Sequence, residues 1–131
     1  MNMAILDNLS RYRPQALGAL RIMTALLFIS HGTQKLFGFP ASQMDGSLPT
    51  MLLVAALLEA VGGLLVLVGL FTRPVAFILS GQMAVAYFMA HAPSNFFPAL
   101  NGGDAAILFC FIFLYLFVAG PGAFSVDERR A

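Results

Sequence analysis

The stretch Leu20–Phe39, LRIMTALLFISHGTQKLFGF, decides the fold, because it is almost wholly apolar and long enough to cross a membrane. It nevertheless carries a guanidinium at Arg21, an imidazole at His31 and an amine at Lys35. At about 100° per residue, these three side chains fall within an arc of roughly 80° on one side of a helix. Ionisable groups at membrane depth are costly and usually face a bundle interior or a water-filled cavity. The stretch is therefore expected to be a transmembrane helix with one lipid-facing side and one polar side.

The composition extends this interpretation to the whole chain. Of its 131 residues, 60% are hydrophobic and only 10% are charged, whereas about a quarter of residues are charged in an average soluble domain. A soluble chain of this size cannot bury so much apolar surface, so the sequence predicts an integral membrane protein. The formal net charge of +1 offers no basic surface for nucleic acid. The lone cysteine, Cys110, lies in an apolar run and is expected to be an unreactive buried thiol.

Four apolar segments follow one another along the chain, each close to the ~20 residues that span a bilayer core. They cover about 15–39, 51–71, 74–92 and 104–120, with a polar loop over 42–49. The connection Thr72-Arg73-Pro74 is very tight, and Pro74 suits the first turn of the third helix. The predicted fold class is all-α: one domain over residues 1–131, folded as an antiparallel four-helix transmembrane bundle.

The positively charged residues are distributed unevenly among the connections. Arg11, Arg13, Arg73 and the pair Arg129–Arg130 all lie at one end of the predicted bundle. The first and third loops contain no Lys or Arg, and these residues are enriched in cytoplasmic loops. We therefore expect a bacterial inner-membrane protein with both termini in the cytoplasm, as an even number of spans also requires.

Polar side chains from three of the predicted helices share the outer half of the membrane, counting ~1.5 Å per residue from the outer helix ends. They are His31, Lys35, Glu59 and His91, and Gln82 lies near mid-membrane beside them. One interpretation is an outward-facing ligand pocket, in which the lysine and histidine donate to the carbonyls of a quinone-like head group and the glutamate relays a proton. The other is an intramembrane ion pair of Glu59 with Lys35 or His31 that only locks the helices together. The sequence leaves both open.

Three further charged residues are interpreted as structural. Arg21 and Asp127 both lie toward the cytoplasm, which predicts a salt bridge between the first helix and the C-terminal tail. Asp104 follows Asn101-Gly102-Gly103 and is predicted to be the N-cap of the fourth helix, where a carboxylate favours the positive end of the helix dipole.

The positions of the two histidines disfavour a haem or a metal site. His31 and His91 could be axial ligands of a haem between the first and third helices, and Glu59 could join them around a metal. The predicted depths of the two histidines differ by one or two helical turns, and so small a bundle has little room for a porphyrin. We therefore predict no metal site and no cofactor encoded by the sequence, although a quinone can be bound.

A series of short motifs runs through most of the chain. The motifs are Arg21…His31-Gly32…Lys35-Leu36-Phe37-Gly38, Glu59 with Gly62-Gly63, Gly69-Leu70-Phe71-Thr72-Arg73, Asn101-Gly102-Gly103-Asp104-Ala105, Gly120-Pro121-Gly122 and Ser125-Val126-Asp127. Their order and spacing, over about Leu17 to Asp127, resemble those of the DoxX family of small four-helix bacterial membrane proteins. One departure is Asp104, where the family more often has Glu, so the reach of that carboxylate is shorter.

The resemblance implies a role in a quinone-linked redox or oxidative-stress system, since some family members are associated with thiosulfate:quinone oxidoreduction or with quinone and catechol stress. Any enzymatic role is at most that of a membrane subunit of an oxidoreductase, with electrons supplied by a partner protein or by a bound cofactor that the sequence does not declare. The expected partners are the lipid bilayer, a redox protein and a second copy of the chain. Two alternatives remain: a proton-coupled carrier of small hydrophobic molecules, and a non-catalytic membrane scaffold.

Overall fold

Helices form every regular element in the part of the chain described by the computed structural model, residues 2–41 and 48–130. They are α1 (Met3–Phe37), α2 (Thr50–Val68), α3 (Thr72–His91), α4 (Pro98–Asn101), α5 (Asp104–Ala119) and α6 (Val126–Arg130). A 3-10 turn, Asn8–Tyr12, interrupts α1 near its beginning. Most of the loop predicted over 42–49 lies outside the described residues.

The ends of the long helices follow local backbone rules. α1 begins at Met3 with two short turns, and its continuous α-helical part, Arg13–Phe37, starts close to the predicted residue 15. α2 ends at Val68 because Gly69 adopts a left-handed conformation with φ of +71°. Gly38, with φ of +67°, ends α1 in the same way. Glycine takes up this conformation without the steric cost that a Cβ imposes.

α1, α2 and α3 are each long and apolar enough to cross a membrane, whereas α5 is apolar but has only 16 residues. Large apolar side chains cover the outer faces of these helices. Examples are Leu27, Val61, Phe77 and Phe111, which are all exposed. Such a surface is unfavourable in water and suits the hydrocarbon of a bilayer.

The core lies where the four long helices meet. Phe28 of α1 packs against Phe113 and Phe109 of α5, with ring centroids 4.9 and 5.3 Å apart. Val66 of α2 and Leu79 of α3 complete the same buried cluster. α3 and α5 also pack closely along their lengths, α1 lies against α2, and these contacts fix the positions of the polar side chains described next.

Two helical turns are wider than the α-helical repeat. The π-helical turn Leu58–Gly62 lies within α2, and the π-helical turn Tyr87–His91 closes α3. Turns of this kind are rare and often occur at functional sites. Each of them contains one of the predicted site residues, Glu59 and His91.

Candidate functional site

A buried ion pair joins α1 to the π-helical turn of α2. Lys35 Nζ lies 2.7 Å from Glu59 Oε1 and 2.9 Å from Oε2, so the amine contacts both carboxylate oxygens. The Glu59 side chain is only 4% exposed and that of Lys35 is 23% exposed. Within residues 2–41 and 48–130 this is the one ion pair present. Since an isolated charge in an apolar interior is very costly, each partner makes the burial of the other tolerable.

A glycine lets the two helices approach closely enough for this contact. Gly32 lies one turn before Lys35 and is buried against α2. A Cβ at this position would lie 2.8 Å from the backbone nitrogen of Ala60 and 3.0 Å from the carbonyl oxygen of Ala56. The ion pair therefore sits beside a helix–helix contact that only a residue without a side chain permits.

Gln82 approaches the same helix from α3. Its Nε2 donates to the carbonyl oxygen of Ala55, 3.3 Å away and one helical turn before Glu59. Its Oε1 is buried and has no hydrogen-bond partner among the described residues. A buried acceptor without a donor is unfavourable. The Gln82 Oε1 is therefore an unpaired hydrogen-bond acceptor inside the bundle.

Neither His31 nor His91 hydrogen-bonds to the ion pair among the described residues. The His31 ring is exposed and meets the edge of Phe109 in α5, with centroids 6.0 Å apart. His91 Nδ1 lies 3.0 Å from the backbone oxygen of Asn101, and its ring stacks on Tyr87. Of the five side chains predicted to form one pocket, Lys35 and Glu59 are the two that hydrogen-bond to each other among the described residues, whereas Gln82, His31 and His91 contact other groups. In the described part of the chain, no cluster of three or more potential metal ligands occurs.

The third loop contains a polar network that the sequence analysis had missed. Asn101, which is 9% exposed, donates from Nδ2 to the Tyr87 hydroxyl at 3.2 Å and to the Asn95 carbonyl at 2.9 Å. Its Oδ1 accepts a hydrogen bond of 2.8 Å from the backbone N–H of Gly103. Together with the His91 contact, this network fixes the end of α3 against the start of α5. An asparagine directly before two glycines is the signal that could have indicated it.

The predicted salt bridge between Arg21 and Asp127 is wrong. Arg21 is fully buried and donates to the backbone carbonyls of Pro121 and Ala123 from one nitrogen and to that of Phe124 from the other. The carbonyls following the end of α5 have no intrahelical partner, and a guanidinium is the cation that can bind several of them at once.

Asp127 binds the start of α3 instead. Its two carboxylate oxygens accept hydrogen bonds of 2.9 and 2.8 Å from the backbone N–H groups of Phe71 and Thr72. Partial burial raises the pKa of Asp127, but these hydrogen bonds and the nearby Arg130 outweigh it and lower the pKa below its ordinary value. The carboxylate therefore caps a helix that belongs to another part of the chain.

Asp104 is not the N-cap of α5. Gly103 occupies that position, and the Asp104 side chain makes no capping hydrogen bond. The Gly103 N–H donates to the Asn101 side chain, and Asp104 is the first residue of the helix and is exposed. An acidic residue in the first turn still interacts favourably with the helix dipole.

Comparison with known proteins identifies the class to which this fold belongs. The sequence profile named DoxX matches residues 16–92. An uncharacterized protein of Haemophilus influenzae is 46% identical over 95% of this chain and 97% of its own length. The inner membrane proteins YqjF and YphA of Escherichia coli are 34% and 29% identical, over 82% and 89% of this chain and 86% and 91% of their own lengths. No solved structure matches significantly.

The long apolar helices and the similarity to inner membrane proteins show that this is an integral membrane protein. The chain belongs to the DoxX family.

Proposed function

We propose that this is an integral inner-membrane protein in which α1, α2, α3 and α5 all cross the bilayer in antiparallel order, with both termini in the cytoplasm. The 16 residues of α5 extend for about 24 Å at ~1.5 Å per residue, and flanking residues lengthen the span toward the ~30 Å of hydrocarbon. Arg21 of α1 binds the C-terminal segment, and Asp127 of that segment binds the start of α3. These contacts lie at the arginine-rich end of the bundle. The enrichment of Lys and Arg in cytoplasmic loops favours that end as the cytoplasmic one.

The proposed activity is binding of a small amphipathic molecule with a carbonyl head group, such as a quinone, beside the Lys35–Glu59 pair. The observation that carries this proposal is a buried carboxylate held by an amine that is still partly exposed. A lysine amine has three N–H donors, and two contacts to Glu59 leave one for an incoming carbonyl oxygen. The exposed His31 ring, one turn earlier on α1, adds a second potential donor near the lipid.

In a redox role, the chain would supply proton transfer while a partner protein supplies electrons. Reduction of a quinone to a quinol consumes electrons from a donor and adds protons to the two ring oxygens. Glu59 is a proton-accepting group held next to the amine that binds the ring oxygen, so it can relay a proton to that position. The π-helical turn that carries Glu59 supports this assignment, since such turns are frequent at functional sites.

A purely structural function for the ion pair is the competing proposal. It is favoured by the contact of Lys35 with both Glu59 oxygens and by the engagement of His31 with Phe109 and of His91 with Asn101. In that case the protein is a membrane scaffold whose first two helices are fastened together by the pair.

Native mass spectrometry of detergent-purified protein, combined with lipid extraction, distinguishes these proposals. The wild type, Glu59→Gln and a matched control, Asp104→Asn, are reloaded with ubiquinone or menaquinone and compared. The control removes an exposed carboxylate that makes no capping hydrogen bond. A quinone-bound wild type and control, with a folded but unloaded Glu59→Gln variant, support binding at the pair. A wild type that takes up neither quinone overturns the binding proposal and favours the scaffold.

A further inference from the structure

A groove of about 520 Å³ lies between the beginning of α1 and the end of α5. Its apolar floor is formed by Leu17 and Leu20 of α1 and Ala119 of α5. Arg13 and Tyr115, whose side chain is 57% exposed, also line it. The groove therefore combines a cation, a hydrogen-bonding hydroxyl and an apolar wall.

Of the arginines near this end of the molecule, Arg13 and Arg129 make no side-chain contact among the described residues, and only Arg13 lines the groove. Arg11 contacts Tyr12, Arg21 and Arg73 donate to backbone carbonyls, and Arg130 lies over the Phe71 ring. Among the described residues, the exposed Arg13 guanidinium makes no hydrogen bond and no ion pair. Its charge is therefore available to an anion from outside the chain.

The position of Arg13 along α1 coincides with the lipid head groups. With Phe37, the last residue of α1, placed at the far boundary of the ~30 Å hydrocarbon core, a rise of ~1.5 Å per residue puts the near boundary at about Leu17. Arg13 then lies about 6 Å beyond the core, at the depth of the phosphates, while Leu20 lies at the depth of the acyl chains. This placement holds whichever side of the membrane the end of the bundle faces.

We propose that this groove is a binding site for an anionic phospholipid, separate from the Lys35–Glu59 site and independent of the function proposed above. The Arg13 guanidinium donates to the lipid phosphate, for which its planar fork of N–H groups is well suited. The Tyr115 hydroxyl reaches the glycerol or ester region, and one acyl chain lies along Leu17 and Leu20. Free phosphate would leave the apolar part of the groove unused, which favours a membrane lipid as the occupant.

Competitive lipid retention, measured by native mass spectrometry, tests this proposal. The full-length protein is equilibrated with equal amounts of phosphatidylglycerol and phosphatidylcholine of matched acyl chains. Arg13→Gln removes the proposed phosphate ligand, and Tyr115→Phe removes the hydroxyl. Arg129→Gln is the matched control, because it removes an exposed arginine at the same end that does not line the groove.

We expect the wild type to retain phosphatidylglycerol in preference to phosphatidylcholine, and Arg13→Gln to lower this retention about fivefold. We expect a smaller loss in Tyr115→Phe and none in Arg129→Gln. Equal retention of both lipids by the wild type would overturn the proposal. So would equal losses in Arg13→Gln and Arg129→Gln, since that result would assign the preference to the general charge of this end.

Discussion

Arg21 and Asp127 fasten the C-terminal segment to the bundle by two separate sets of hydrogen bonds, without pairing with each other. Arg21 reaches the segment from α1 and binds its backbone carbonyls. Asp127 belongs to the segment and binds the backbone N–H groups at the start of α3. The Arg21 guanidinium therefore binds backbone carbonyls that follow α5 and have no helical partner. The Asp127 carboxylate binds backbone N–H groups at the start of α3, which also have no helical partner.

Replacing Arg21 by methionine is expected to lower the free energy of unfolding by about 2–4 kcal/mol, because buried carbonyls lose charged donors. Arg73→Met is the matched control, since Arg73 also binds backbone carbonyls but is exposed, and its loss should cost below about 1 kcal/mol. Thermal unfolding in detergent, followed by circular dichroism, provides the comparison. Equal losses in the free energy of unfolding would show that the burial of Arg21 does not strengthen its contribution.

Docking of the C-terminal segment is expected to weaken in acid through Asp127. Because the pKa of this carboxyl is lowered in the folded protein, its stabilising contribution is complete above the ordinary value of 3.8 and is lost as the pH falls through the lowered value. Protonation removes the charge that the N–H groups of Phe71 and Thr72 bind.

The Asp127→Asn variant isolates this effect. Limited proteolysis of the C-terminal segment, carried out from neutral pH down to below pH 3.8 with an acid-stable protease, should reveal a more protected tail in the wild type at neutral pH. The difference from the variant should shrink at the acid end of the series. A difference that stays constant through the whole series would show that the charge of Asp127 has no part in docking.

The chain's helical segments were predictable because long apolar runs are the strongest signal a membrane sequence carries. The first span predicted over about 15–39 matches the α-helical part of α1, Arg13–Phe37, whereas the short turns that precede it, Met3–Asp7 and Asn8–Tyr12, carry no long apolar run that could have indicated them. The π-helical turn around Glu59 has no recognised sequence pattern, and it emerged only from the packing of α2 against its neighbours.

The candidate site was predictable only in part. Helical periodicity and depth correctly placed Lys35 and Glu59 near one another, but they did not place His31, which is only one turn from Lys35 yet faces α5. Arg21 and Asp127 were assigned to the same end, but side-chain charges alone could not reveal that each prefers unpaired backbone groups. Such backbone partners depend on where loops pass, which residue spacing does not specify.

The Lys35–Glu59 pair is expected to show strong coupling in a double-mutant cycle. Lys35→Met alone should cost about 3–5 kcal/mol, because Glu59 becomes a buried unpaired charge, and Glu59→Met alone should cost less, because the Lys35 amine is partly exposed. The double variant should recover most of that loss, since two apolar side chains suit the same space. Unfolding midpoints in detergent measure the three variants, and additive losses would mean that the pair does not act as a unit.

Gly32 is expected to control how closely α1 and α2 approach, and Gly81 provides an internal control. Alanine at position 32 would place a Cβ 2.8 Å from the Ala60 backbone nitrogen, whereas a Cβ at Gly81 meets nothing within 4 Å. Both substitutions raise intrinsic helix propensity by about 1 kcal/mol, so their difference isolates the contact. Gly32→Ala should destabilise by about 1–3 kcal/mol, and Gly81→Ala should be neutral or stabilising.

Because the Glu59 Cβ lies 3.0 Å from the added methyl group, the first substitution should also disturb the ion pair. Unfolding of Gly32→Ala in a Lys35→Met background measures that second effect, and a cost unchanged by the background would separate the helix contact from the pair.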